Sequence, residues 1–331
     1  MIQDFENRIF TISSNQEFDQ IALEIFDFQY NNNLVYKEYI DYLKVKPTKI
    51  TSIFDIPFLP IEFFKSRKIV SAIDLLQEKT PVVFKSSGTT GADRSKHYVY
   101  KSDIYEKSFL KEFKDIFGSP ENYTILALLP SYVQTGDSSL VYMVNKLIQL
   151  SNNVDSGFYL EKSEIILDII LKNKELNKQI ILFGVSYALL DLAESNKILL
   201  PELIIIETGG MKGRKKEIIR NELHHILGQK FGTKNIYSEY GMTELLSQAY
   251  MLENEFFKPS STMKVLIRDI NDPFTYLSDE KTGGINIIDI ANLYSCSFIE
   301  TKDLGLLKNN KFKVLGRFDN ADIRGCNLLT V

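Results

Sequence analysis

The stretch IILF (residues 180–183), followed by the helically spaced YALLDL (187–192) and then by LIII (203–206) and ETGG (207–210), reads as strand, helix, strand and turn. Both strand runs are apolar at every position. A strand with one wet face alternates apolar and polar residues, whereas a continuous apolar run is covered on both faces. Helices between such strands provide that cover, which is the pattern of an α/β fold. The glycine pair then ends the unit at the carboxyl end of a strand, where α/β sheets place their ligands.

The same alternation extends outward. VVF (82–84) and ILALL (125–129) read as further strands, and residues 105–117, 140–150, 165–171 and 218–227 as helices, so an α/β core is expected over residues 76–260. Beyond it the helical spacing stops. VLI (265–267), residues 285–290, SFI (297–299) and FKVL (312–315), separated by Gly, Asp and Asn turns, predict a β-rich subdomain over 261–331. Residues 1–75 read as helical. Phe18, Ile21, Ala22, Ile25 and Phe26 share one helix face, with Ser13 and Gln16 at capping-box separation ahead of them, and Val35, Tyr36, Tyr39, Ile40 and Leu43 repeat the pattern. IPFLPI (56–61) is expected to be an extended apolar connector, because each proline removes an amide donor and biases its predecessor away from helix.

The 331 residues fit two domains, or one large domain with an appendage, at roughly 150 residues per domain. A net charge of −4 gives no electrostatic reason to expect a nucleic-acid partner. Two cysteines, Cys296 and Cys326, are too few for a disulfide framework or a structural zinc site, which favours a reducing cytoplasm. The start, MIQDFENRIF, is acidic where a signal peptide is basic, and no apolar run is long enough for a membrane span.

Four segments carry chemistry. In KSSGTTG (85–91), four hydroxyls and two glycines occupy six consecutive positions after a strand, so side-chain O–H and backbone N–H groups can converge on one anion. The loop is not a Walker A motif, because Asp93 and Arg94 stand where the second glycine and the lysine belong; it reads as a phosphate loop or as a polar turn. Arg94, Lys96 and His97 follow it, as anion contacts or as a solvated basic cluster with a structural histidine. ETGGMKGR (207–214) offers a side-chain-free surface for a flat base at Gly209 and Gly210, with Lys212 and Arg214 either reaching phosphates or decorating a helix. In SEYGMTE (238–244), Glu239 and Gly241 flank Tyr240, a ring for a purine; Thr243 and Glu244 serve phosphate and Mg²⁺, or else act as a helix N-cap and first-turn acid. Near the end, an acid in the turn TKDLG (301–305), Asp303, can accept ribose hydroxyls, and Arg317 of GRFD (316–319) can bridge ribose and phosphate.

In this order the segments resemble the adenylate-forming superfamily of acyl-CoA synthetases, peptide-synthetase adenylation domains and luciferases. Within it the wording is most similar to LuxE-type acyl-protein synthetases, through SSGTTG (86–91), ALLPSY (127–132), SSLVYM (138–143), SGFYL (156–160), ETGGMKGR and SEYGMTELLSQAY (238–250). The likeness runs from about residue 50 to the end and implies that superfamily's large-domain fold, an α/β architecture of layered sheets and helices. It further implies ATP-dependent conversion of a fatty or aryl carboxylic acid to an acyl-adenylate, and transfer of the acyl group to a thiol. By the resemblance, Ser86, Ser87, Thr89 and Thr90 hold the ATP phosphates and Gly209, Gly210 and Tyr240 the adenine, with Gly88, Gly91, Glu239 and Gly241 as further cofactor-binding residues of the same motifs. Thr243 and Glu244 then serve phosphate and Mg²⁺, Asp303 the ribose and Arg317 the ribose–phosphate side.

Two departures follow. The usual proline-lysine is replaced by Ala92-Asp93-Arg94, so Arg94 or Lys96 stands in for that charge, and only 12 residues follow Asp319, so the mobile C-terminal domain with its catalytic lysine is expected to be truncated. Lys212 or Arg214 then substitutes, or adenylation is slow, or a partner completes the site. Cys326 resembles the acylated cysteine of LuxE-type enzymes, beside Arg324, which favours its thiolate; Cys296 reads as core. The catalytic candidates are thus Cys326, His97, Lys96 and Lys212, with an acyl-acceptor protein, a reductase or CoA as partner. Tyr132, Phe183 and Tyr187 are candidates for the acyl pocket. The alternatives are an acyl-CoA ligase resembling phenylacetate–CoA ligases and a nucleotide-binding module with impaired catalysis.

Overall fold

The computed structural model of the protein describes residues 2–72, 74, 76, 79–87, 94–130, 136–176, 178–195, 199–209, 218–253 and 255–317. They divide between two units: Met1–Leu75 with Thr262–Val331, and Leu76–Ser261. The first unit begins with α1 (Ile2–Arg8), α2 (Asn15–Asn32) and α3 (Leu34–Tyr42), and continues through β1 (Leu59–Pro60) and α4 (Phe63–Ser66). The five apolar residues expected on one face of α2 are all buried, together with Gln29. The cap sits one residue later than the sequence spacing predicts. Ser14 is the N-cap, its Oγ accepting from the Glu17 amide at 3.1 Å, while the Glu17 carboxylate accepts from the Ser13 amide and hydroxyl at 2.9 and 3.0 Å. An anionic Glu17 offsets the positive helix start better than a neutral Gln16 does.

The second unit opens with a hairpin of β2 (Val82–Lys85) and β3 (Lys96–Val99), followed by α5 (Ser102–Phe117), β4 (Tyr123–Leu128), α6 (Ser139–Ser151), β5 (Gly157–Phe158) and α7 (Ile166–Glu175). It continues with β6 (Gln179–Val185), α8 (Ser186–Ser195), β7 (Ile204–Thr208), α9 (Arg220–Phe231), β8 (Ile236–Tyr240), β9 (Ala249–Glu253) and β10 (Phe256–Pro259). β5, β4, β6, β7 and β8 are parallel neighbours in that order. β4 is buried at every position and β6 at all but its first, as their unbroken apolar runs require. β9 and β10 turn back antiparallel, a change of direction that the apolar pattern of this stretch does not signal.

The first unit closes with β11 (Met263–Arg268), β12 (Gly283–Asp289), β13 (Phe298–Lys308) and β14 (Lys311–Arg317), an antiparallel meander in chain order. The connector 56–61 is more than extended: β1 pairs parallel with β13, Leu59 opposite Ile299 and Pro60 opposite Glu300. Gln29 ties the helices to this sheet. Its Nε2 donates to the carbonyls of Asn292 and Leu293, both at 3.0 Å, and its Oε1 accepts from the Ser297 amide at 2.9 Å. Around this clamp, Phe298 meets Phe26, Tyr36 and Phe58 at ring separations of 6.0 to 6.1 Å. Cys296 is fully buried in this core, and burial pushes its thiol up to about 12. Among the described residues, no helix is long and apolar enough to cross a membrane.

Candidate active site

Parallel strands end together, so the loops that leave them meet. Here Val185 of β6 lies opposite Thr208 of β7, and Thr208 opposite Glu239 of β8, which sets three strand ends in one row. Gly209 leaves that row with φ 70°, a left-handed conformation that a side chain would disfavour. At Gly241 a Cβ would stand 2.5 Å from Glu239 Oε1, so the carboxyl and the backbone can approach only because the residue is glycine. A cavity of about 630 Å³ opens over this row, lined there by Thr208, Gly209, Glu239, Tyr240, Gly241 and Thr243. Its size suits a small-molecule ligand.

The same cavity is lined by two cations of the β2–β3 hairpin, Lys85 at the end of β2 and Arg94 just ahead of β3, both held by Asp137 just ahead of α6. Lys85 Nζ lies 2.9 Å from Asp137 Oδ2, and the Lys85 amide donates to the Asp137 carbonyl at 2.6 Å. Arg94 donates from Nε to the Ser86 carbonyl and places Nη1 4.0 Å from the same Asp137 carboxylate. One aspartate thus steadies two cations. Ser86 Oγ accepts from the Ser95 amide at 3.0 Å and the Ser86 amide donates to the Ser95 carbonyl at 3.1 Å, which pins the two ends of the hydroxyl loop together. Ser87, the next residue, is exposed and lines the cavity.

Two neighbouring buried carboxyls behave differently. Glu207 Oε1 accepts from Arg220 Nε at 3.0 Å and from the Ser238 hydroxyl at 2.5 Å, and Ser238 in turn accepts from His224 Nε2 at 3.0 Å. Burial alone would raise the Glu207 carboxyl, but His224, Arg220 and Ser238 together hold it below its ordinary value. Among the described residues, no cation pairs with Glu239. Burial pushes it up to about 7, against the hydrogen bond it accepts from Thr208 Oγ1 at 2.5 Å and with help from the charge of Glu207. The cavity therefore carries a carboxyl that can hold a proton near neutrality, and it is also lined by Arg220, which Glu207 anchors.

Of the expected site residues, Ser87, Gly209, Glu239, Tyr240, Gly241 and Thr243 come together in this cavity. Tyr240 is 9% exposed and its ring lies 5.7 Å from that of Phe257. Thr243 and Glu244 lie in a turn between β8 and β9, with the Leu245 amide donating to the Met242 carbonyl at 3.1 Å, so the helix-cap alternative does not hold. Glu244 is buried in that turn. His97 is also fully buried, and its Nδ1–H donates to the Thr243 carbonyl at 2.8 Å, fixing the backbone of a residue that lines the cavity. Lys96 is exposed on β3. Phe183 and Tyr187 are buried. In the first unit, Asp303 stands in strand β13 rather than in a turn, directly opposite Arg317 of β14, and the two form a 3.3 Å ion pair. Gly88, Thr89, Thr90, Gly91, Tyr132, Gly210, Lys212, Arg214 and Cys326 lie outside the described residues. Sequence reasoning passed over Asp137 and Arg220, which become visible only through the salt bridges that fix them; the nearest signal was SSLVYM, which begins one residue after Asp137.

The fold is that of adenylate-forming enzymes. The chain is similar to ATP-bound MatB from Rhodopseudomonas palustris, with a TM-score of 0.54 and 17% identity over 71% of this chain and 47% of that one. It is similar to the o-succinylbenzoate coenzyme A synthetase MenE from Bacillus subtilis with ATP and magnesium ion, with a TM-score of 0.51 and 17% identity over 71% and 49%. An open conformation of 2-hydroxyisobutyryl-CoA ligase, in complex with 2-HIB-AMP and CoA, superposes with a TM-score of 0.65 and 11% identity over 92% of this chain and 71% of that one. The chain spans about half the length of the MatB and MenE chains. No curated protein matches it in sequence. The family model for acyl-protein synthetase, LuxE, matches residues 4–330, so strand ends, glycines and matched motifs agree: the chain belongs to the LuxE acyl-protein synthetase family.

Proposed function

We propose that this protein is a cytoplasmic enzyme that activates a fatty or aryl carboxylic acid with ATP and passes the acyl group to a thiol. A carboxylate oxygen attacks the α-phosphorus, the bond to the bridging oxygen of pyrophosphate breaks, and an acyl-adenylate forms. A thiolate then attacks the acyl carbon and AMP leaves. The observation that supports this reading is the convergence of strand-end glycines and clamped cations on one cavity, within a chain of this family. In-line phosphoryl chemistry needs positioning and charge neutralisation more than covalent help from side chains.

Lys85 and Arg94 against Asp137 leave one net positive charge for the phosphates, and a clamped cation is already oriented when the charge shifts. Gly209 and Tyr240 take the adenine side. Ser86, Ser87 and residues 88–91 take the phosphates, with Thr243 behind them held by His97. Glu239, protonated near neutrality, donates a hydrogen bond or releases its proton as the nucleotide arrives. Asp303 and Arg317 are assigned the ribose hydroxyls and the ribose–phosphate side. Among the described residues no three of His, Cys, Asp and Glu gather into a metal-holding group. That is compatible with Mg²⁺, which takes one or two carboxylates and completes its shell with water and phosphate oxygens; Glu244 is assigned to it, and the ion would neutralise phosphate charge. Cys326 is assigned the acyl group, with CoA or an acceptor protein as the competing thiol.

Intact-mass measurement after incubation with ATP, Mg²⁺ and a panel of carboxylic acids tests this reading. An acyl adduct that disappears in Cys326→Ser, together with acid-dependent ATP–pyrophosphate exchange that persists there, is the expected result. Release of acyl-CoA by Cys326→Ser would instead make the protein an acyl-CoA ligase. ATP binding with no exchange for any acid would leave a nucleotide-binding module.

A further inference from the structure

A second cavity, of about 310 Å³, lies wholly within the first unit, and nothing in the proposed acyl transfer uses it. Its walls are aromatic: Tyr39 of α3, Phe54 and Phe58 from the segment that follows, and Tyr276 from the connection between β11 and β12. The rings of Phe54 and Tyr276 lie 5.7 Å apart at 66°, and those of Phe58 and Tyr276 lie 6.4 Å apart at 65°. Rings so steeply inclined form the sides of a box rather than a stack. Phe54 is 54% exposed, so the box is reached from solvent.

Glu300 of β13 supplies the charge in this box. Its Oε1 is 3.4 Å from Arg268 Nη2, but Arg268 makes shorter bonds to Asn286 Oδ1 at 2.8 Å and to the carbonyls of Thr301 and Ile285 at 2.9 and 3.0 Å. Compensation of Glu300 is therefore partial. Burial raises its carboxyl, and burial followed by the Glu300 charge raises the Tyr39 phenol, so the two groups act on each other electrostatically. Asp55, also in the lining, is occupied by the amides of Thr51 and Ser52 at 3.1 and 2.9 Å. The one cation among the lining residues, Lys49, is exposed. An organic anion would meet Glu300 in the same space.

We propose that this cavity binds a small organic cation of the alkylammonium class, with aromatic rings around its charged head and Glu300 as its counter-charge. The electrostatic attraction of a cation to ring faces distinguishes such a ligand from a neutral molecule of the same shape. Choline and its neutral carbon isostere, 3,3-dimethylbutan-1-ol, make the comparison directly. Titrated calorimetrically into the full chain, choline is expected to bind about tenfold more tightly than the alcohol. Phe54→Leu at the rim and Glu300→Gln are each expected to weaken choline about fivefold or more with unchanged affinity for the alcohol, the Phe54 variant at an unchanged thermal midpoint and the Glu300 variant at a lowered one because Arg268 loses its ion pair. Equal affinity for the two probes, or choline binding that both variants leave intact, would overturn the proposal. Sedimentation with phosphatidylcholine vesicles, lost in the same variants, would assign the cation to a lipid headgroup, and its absence beside choline binding would assign it to a free solute.

Discussion

The parallel strand ends β6–β8 and the antiparallel meander β11–β14 handle charge in opposite ways. Over the former, a cavity is lined by Arg220, which starts the helix after β7, and by Lys85 and Arg94 of the β2–β3 hairpin, each anchored by one carboxylate. In the latter, Arg268 is 6% exposed and spends its donors on Ile285, Asn286 and Thr301, while Asp303 and Arg317 pair directly across the sheet. Strand direction accounts for the difference. Parallel strands deliver consecutive loops to one edge, where polar groups accumulate around solvent, whereas a meander alternates its ends and leaves cross-strand neighbours as the nearest partners. A site built from several loops therefore belongs to the parallel portion, and the meander contributes pairs.

Arg268→Ala should give the largest effect. It strips buried acceptors and Glu300 of their donor, at an expected cost of about 3–5 kcal/mol, read as a lowered urea midpoint. A loss below about 1 kcal/mol would mean that the meander does not depend on its buried charge. Next, Lys85→Met should slow acid-dependent ATP–pyrophosphate exchange by about a hundredfold, as for other lost charge-stabilising groups. If exchange is unchanged, the clamped cations only brace the loop.

A third prediction concerns pH. The folded Glu239 carboxyl keeps its proton up to about pH 7, against an ordinary value of 4.5, so between those values the folded state binds more protons than the unfolded one. Stability of the ligand-free protein should therefore fall as pH rises from about 4.5 to about 7 and level off above that. Glu239→Gln should remove part of this slope, matching wild type near pH 4.5 and exceeding it at pH 8 by ~1–3 kcal/mol in urea midpoints. Glu112, likewise raised to about 7 by burial, keeps its share of the slope in the variant. An unchanged slope would mean that the carboxyl is solvated. The smallest effect is expected of Arg317→Ala: the arginine side chain is 70% exposed, so breaking its pair with Asp303 should cost under about 1 kcal/mol, while KM for ATP rises if the ribose assignment is right.

Much of this was legible in the residues. The strands β4, β6 and β7 and helices α2, α5 and α6 follow from apolar runs and apolar spacing, and of the marked glycines 209 takes a left-handed backbone and 241 leaves room for the Glu239 carboxyl. Misreadings occurred where two local solutions compete. Ser13 and Ser14 both satisfy the spacing of a cap, and only the carboxylate of Glu17 selects between them. A threonine followed by a glutamate reads as a helix start, yet Thr243 turns without one, its carbonyl taken by His97 from 146 residues away in sequence. Asp303 in a Gly-containing stretch reads as a turn, and the pairing with Arg317 makes it strand.

Residue order by itself determined helices α2, α5 and α6 and strands β4, β6 and β7, that these strands are covered on both faces, and which motifs place the chain in its family, because hydrophobic period and glycine placement are local properties. Tertiary structure alone decided that Asp137 would clamp Lys85 and Arg94, that Glu207 and Glu239 would part in acidity, and that Tyr39, Tyr276 and Glu300 would line one box. A carboxyl's acidity depends on burial and on charges a few ångströms away, and chain closure brings those neighbours from segments with no sequence relation to one another.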